Sequence, residues 1–89
     1  MTQSSATPNK KLSELARREL DELVQLRDEI RLKVHLAGME AKSTWADLER
    51  QLEQLEERFG YEGDHVVETT RQIAQELRTS FRNFKNSLL

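Results

Sequence analysis

His35 and His65 are the two histidines of this sequence, and a metal site would be built on them. Metal sites on helices use ligands three or four residues apart, which project from one face. The two histidines are thirty residues apart, and Glu68, three residues after His65, is an acid at that offset. A solvated His65–Glu68 pair accounts for it, and neither a metal nor another cofactor is expected. Zero cysteines exclude thiolate catalysis, disulfides and cysteine-based zinc sites. With no glycine-rich phosphate loop and no nucleophile in a recognisable setting, an enzyme is not expected.

Charge is the second candidate for chemistry. Residues 36–59 carry six acids (Glu40, Asp47, Glu49, Glu53, Glu56, Glu57) against three bases, a balance of −3. Further on, Arg71, Arg78, Arg82 and Lys85 outnumber Glu68 and Glu76, a balance of +2. A basic groove for nucleic acid is one reading. Complementary pairing of two neighbouring helices is the better one, because no aromatic interleaving or DNA-binding motif accompanies the bases. The whole-chain charge of −2 gives no pull toward nucleic acid or anionic membrane.

The elements that position these groups are helices. Glu, Leu, Arg, Lys, Gln and Ala dominate, with three glycines and one proline in 89 residues, as in long helices and coiled coils. From Leu23 the apolar or small positions run Leu26, Ile30, Val34, Ala37, Ala41, Trp45, Leu48, Leu52, Leu55 and Phe59, in steps of three and four. That spacing predicts one amphipathic helix over about residues 10–59, after a disordered tail over 1–9. The helix start is expected between Pro8 and Ser13. Glu14–Arg18, Asp28–Arg31, Glu29–Lys33 and Asp47–Arg50 are spaced to support a solvated helical face. Ile30, Ala41 and Leu52 are eleven apart, which predicts a nearly straight or slightly right-handed course.

Gly60 is placed as the helix stop and Asp64 as the next N-cap, with a loop over 60–64. A second helix is expected over about 65–87, with Val66, Thr70, Ile73, Leu77, Phe81, Phe84 and Leu88 as its stripe. The fold class is therefore all-α, a helical hairpin of one long and one shorter amphipathic helix. At 1.5 Å per residue these span roughly 70 Å and 35 Å, so the second covers only half of the first. Leu12, Leu15, Leu20, Leu23, Leu26 and Ile30 are left for another chain to bury.

The symmetric solution is an antiparallel coiled-coil dimer, its long helices crossing at the small residues Ala37, Gly38 and Ala41. Leu23, Leu26, Ile30, Val34, Ala37, Gly38, Ala41 and Trp45 are the expected oligomer interface, and Phe81, Phe84, Leu88 and Leu89 would meet the partner's Leu12, Leu15 and Leu20. The alternative breaks the first helix near Lys42-Ser43-Thr44, where Thr44 and Asp47 resemble a capping box, and folds as a monomeric three-helix bundle.

Along residues 31–49 the chain resembles a group of small, uncharacterised bacterial helical proteins with coiled-coil character. His35-Leu36-Ala37, then Glu40-Ala41, then Trp45 before an acidic helix end carry the resemblance. It implies no activity and assigns no residue a role. A structural or protein-interaction module that homo-oligomerises is the reading for function, with an unidentified protein partner as a further possibility. A lipid- or granule-surface protein and a nucleic-acid-associated protein are the alternatives. No segment approaches the roughly 18 apolar residues of a membrane span, and a cytoplasmic setting is expected.

Leu23 and Ile30 lie on the stripe, whereas Arg18 and Gln25 lie off it. Leu23→Asp or Ile30→Asp should abolish most helicity, at a cost of several kcal/mol. Asp at Arg18 or Gln25 should change stability by less than about 0.5 kcal/mol, as read by urea unfolding.

Overall fold

The computed structural model describes the backbone of residues 3–88 and the side chains of residues 12–88. It holds three helices, α1 (Gln3–Val34), α2 (Met39–Glu62) and α3 (Glu68–Ser87), and no strand among the described residues. The expected two-helix hairpin is thus corrected to a three-helix bundle: the first long helix is broken between Val34 and Met39. The break falls about five residues before the alternative position at Lys42-Ser43-Thr44. The α1 backbone is helical from Gln3, ahead of the expected start, since extending a formed helix costs far less than nucleating one. Met1 and Thr2 of the expected tail, and Leu89 of the expected C-terminal contact, lie outside the described residues.

Local chemistry explains the corner. Leu36 N–H donates to the Lys33 carbonyl at 3.3 Å and Ala37 N–H to the Val34 carbonyl at 2.9 Å, the tightened last turn of a helix end. Gly38 is then extended (φ −76°, ψ 175°) and is the N-cap of α2, with Lys42 N–H returning to its carbonyl at 3.1 Å. Arg31 and Lys33 close α1 and Glu40 opens α2, each placed favourably for the helix dipole. The eleven-residue spacing of Ile30, Ala41 and Leu52 bridges this turn and is no helical period. Within single helices the buried positions repeat every seven: Ala16, Leu23, Ile30 on α1 and Trp45, Leu52, Phe59 on α2.

The second turn also differs from expectation. Gly60 is helical and α2 continues to Glu62; Gly63, at φ 61°, is the stop, and its N–H reaches the Phe59 carbonyl at 2.9 Å. Only glycine takes that left-handed backbone without strain. Val67, not Asp64, is the N-cap of α3, and its side chain makes no capping bond. The Glu62 carboxylate supplies one from outside, accepting Val67 N–H at 3.2 Å and the Thr70 hydroxyl at 2.7 Å. From α1, the hydroxyl of the buried Ser13 donates to the Asp64 carbonyl at 2.8 Å and accepts Val66 N–H at 3.4 Å.

These contacts set the topology. Ser13 meets Val66, Glu22 meets Arg78 and Glu29 meets Lys85, so α1 and α3 run parallel, with α2 antiparallel to both. The molecule is a rod of 56 × 21 × 16 Å. Its core joins Leu23 and Ile30 of α1, Leu52 and Leu55 of α2, and Leu77 and Phe81 of α3. Trp45 closes one end, stacked on Phe84 (5.8 Å, 13°) and edge-on to Phe81 (5.1 Å, 63°). Phe81, Phe84 and Leu88 therefore pack within their own chain, and Leu12 lies at the opposite end beside Val66.

Two buried side-chain atoms lack a hydrogen-bond partner among the described residues, Glu19 Oε1 on α1 and Arg71 Nε on α3. Glu19 is 9% exposed, and its Oε1 accepts no hydrogen bond among the described residues. A buried polar atom left unpaired costs about 1–3 kcal/mol, so Glu19→Met should raise stability by about 1 kcal/mol while keeping the side-chain length. Denaturant unfolding decides it; a lower midpoint would mean that the carboxylate is bound through water.

Candidate functional site

The residues singled out for chemistry do not converge. His35 lies exposed in the α1–α2 corner and His65 exposed in the α2–α3 turn, at opposite ends of the rod. Among the described residues no three His, Asp or Glu side chains are grouped as metal ligands would be. Helices α2 and α3 leave a shallow open groove, with Leu55 and Ile73 in its lining beside Gln51, Gln54 and the exposed Tyr61.

Seven of the eight expected interface residues sit together on one core, inside one chain. Leu23 and Ile30 are 0% exposed, Leu26, Val34 and Trp45 are buried, and Ala37 and Ala41 pack half-buried on the same core. Gly38 is exposed, and a Cβ built on it would meet nothing within 4 Å, so no helix crosses closely there in the single chain. The stripe that a second copy was expected to cover is covered by the chain's own α2 and α3.

Electrostatic pairing is rearranged in the same way. The bases of α3 form no ion pair with the acids of α2 among the described residues: Arg78, Arg82 and Lys85 meet α1, and Arg71 pairs with Glu68 of its own helix. Glu22 accepts Arg78 at 2.9 Å and also Arg82, and Glu29 accepts Lys85 Nζ at 2.7 Å. Glu22 and Glu29 are seven apart, as are Arg78 and Lys85, so the pairs form a ladder along the parallel seam. Arg31 reaches across to Glu49, the ion pair that links α1 to α2. Of the pairs expected along one helix, Asp47–Arg50 is present at 3.1 Å, while Glu29 is taken by Lys85 and Asp28 by Arg27. Glu53, Glu56 and Glu57 make no ion pair among the described residues.

Sequence reasoning missed three side chains. Leu32, Leu36 and Met39 are 79%, 88% and 84% exposed and gather at the α1–α2 corner. They fall off the stripe in phase, and that is the signal by which they could have been found. No protein-family model, curated protein or solved structure matches this chain. The resemblance along residues 31–49 thus adds no residue role to this geometry.

Hydrogen bonding from Arg78 holds the Glu22 carboxyl below its ordinary value of 4.5, helped by the charges of Arg78 and Arg82 and opposed by partial burial. A lowered folded-state pKa stabilises the fold above the unfolded value, and this contribution fades as pH falls through the folded one. Glu22→Gln should therefore lower stability at neutral pH and flatten its decline below about pH 4.5. Thermal unfolding of both proteins between pH 2 and 7 tests this, and parallel curves would mean that the ladder carries no net stability.

Proposed function

We propose that this chain is a non-enzymatic structural or protein-interaction module that homo-oligomerises through α1. What carries the reading is the distribution of the core: Leu23, Ile30 and Phe81 bury one continuous layer along the rod, so helix surface is what the molecule offers to a partner. The α1 face that fits α2 and α3 of its own chain fits the same two helices of a second copy equally well. A cytoplasmic setting belongs to this reading; no helix among the described residues is long and apolar enough to cross a membrane. Nucleic-acid association is disfavoured, since Arg78, Arg82 and Lys85 are engaged by Glu22 and Glu29.

A second reading rests on the corner. Leu32, Leu36 and Met39, beside the exposed Lys33 and Lys42, make a convex apolar tip suited to a lipid surface. Sedimentation equilibrium at micromolar to millimolar concentration, with and without anionic vesicles, separates the two. Self-association predicts a mass that rises from 10.4 kDa toward twice that value without vesicles. Constant monomer mass, with pelleting on vesicles that Leu36→Ser plus Met39→Ser abolishes, would replace it with the lipid reading.

A further inference from the structure

We propose that the α1–α2 corner is a hinge that opens into continuous helix, so that two copies exchange α1 and form an antiparallel dimer with a three-helix bundle at each end. The inference rests on the self-association reading above and supplies its mechanism. Three observations carry it.

The first is phase. Val34, Ala37, Ala41 and Trp45 keep helical spacing straight through the corner, all on the core side. An opened helix would therefore present one unbroken seam, α1 to one bundle and α2 to the other. A turn that never opens places no such demand on its residues.

The second is the backbone. Among the described residues the one positive φ is at Gly63, in the other turn. At Gly38 φ is −76°, already close to helical, so rotation of ψ from 175° to about −42° carries that residue into the helix. No proline stands between Val34 and Met39, and no side-chain bond caps Gly38. The closed corner rests on two i→i−3 hydrogen bonds of the helix-end type, whereas continuous helix would pair the backbone groups left over at both helix ends.

The third is conservation of contacts. In the open dimer α1 of one copy runs beside α2 and α3 of the other in the same directions as in the closed bundle. Ser13 with Asp64 and Val66, Glu22 with Arg78 and Arg82, Glu29 with Lys85, and Arg31 with Glu49 all re-form between chains. The exchange changes the hinge and little else, the condition under which domain swapping is cheap. The long helices of the open dimer would cross at the small residues Ala37, Gly38 and Ala41; in the closed chain a Cβ built at Gly38 meets nothing within 4 Å, so alanine there leaves the monomer undisturbed.

Substitutions at the hinge give opposite expectations. Gly38→Ala gains helix propensity only in the open form and should raise the dimerisation constant about fivefold per chain, or about 25-fold per dimer. Met39→Pro suits the first helical position of α2 and the extended Gly38 before it, but would break a continuous helix. It should lower dimerisation more than about a thousandfold and leave the monomer folded, with Met39→Ala as the control for lost apolar surface.

A short bis-maleimide between Glu22→Cys and Arg78→Cys identifies the chains joined. Exchange predicts a covalent dimer from the dimer fraction and an internally bridged monomer from the monomer fraction. A dimer fraction bridged only internally would overturn exchange and leave self-association standing. Monomer at every concentration for both wild type and Gly38→Ala would overturn both.

Discussion

Everything in this fold depends on covering the α1 face that carries Ala16, Leu23 and Ile30, each with no exposure at all. Left wet, such a stripe forfeits about 25 cal/mol for each Å² of apolar surface. The chain meets the demand with α3, which lies parallel to α1 and is pinned to it by Glu22 and Glu29. Parallel neighbours cannot be joined by a tight turn, so a return helix is obligatory, and α2 is that helix. Its 24 residues match the 20 of α3 and the packed stretch 13–34 of α1. Length matching of this kind dictates that a corner fall just after Val34.

The two turns are secured in unequal ways. The α2–α3 turn is locked by tertiary bonds: Ser13 on two loop backbone groups, Glu62 on the start of α3, and the left-handed Gly63. The α1–α2 corner has backbone bonds of its own, the ion pair Arg31–Glu49 across the helices it joins, and apolar packing of Val34, Ala37 and Ala41 on the core. One turn is therefore held by polar bonds from other elements, while the other relies on its own backbone bonds and apolar packing. The exposed Leu32, Leu36 and Met39 collect at that corner.

The charge pattern follows from the same parallel seam. Cations of α3 at seven-residue spacing meet acids of α1 at seven-residue spacing, which resists a one-residue slip of either helix. Interactions of this exposed kind contribute modestly to stability, typically under about 1 kcal/mol each, and chiefly select register. Of the acids of α2, Glu53, Glu56 and Glu57 are thereby left without an ion pair among the described residues, whereas Glu49 meets Arg31 and Glu62 caps α3.

Legible in the sequence were the all-helical class, the buried faces, and the residues that line the core. Leu23, Leu26, Ile30, Val34 and Trp45 were identified as a contiguous buried seam because three-and-four spacing reports which side of a helix avoids water. Periodicity says nothing of what covers that side. Nor does it reveal a corner whose four residues keep phase across it, which is why Ile30, Ala41 and Leu52 imitated one long helix. Arg31 and Lys33 before Gly38, with Glu40 after it, were local marks of the break, but each is worth only tenths of a kcal/mol to about one and none is decisive alone. Gly60 and Gly63 were equally plausible stops by type, and the choice of Gly63 was made by Phe59, which stays buried one turn earlier, and by Glu62, which must reach Val67 and Thr70. The sequence by itself determined which surfaces must be buried; tertiary structure decided that the chain buries them against itself, because only the assembled bundle compares helix lengths and pairs α1 with α3.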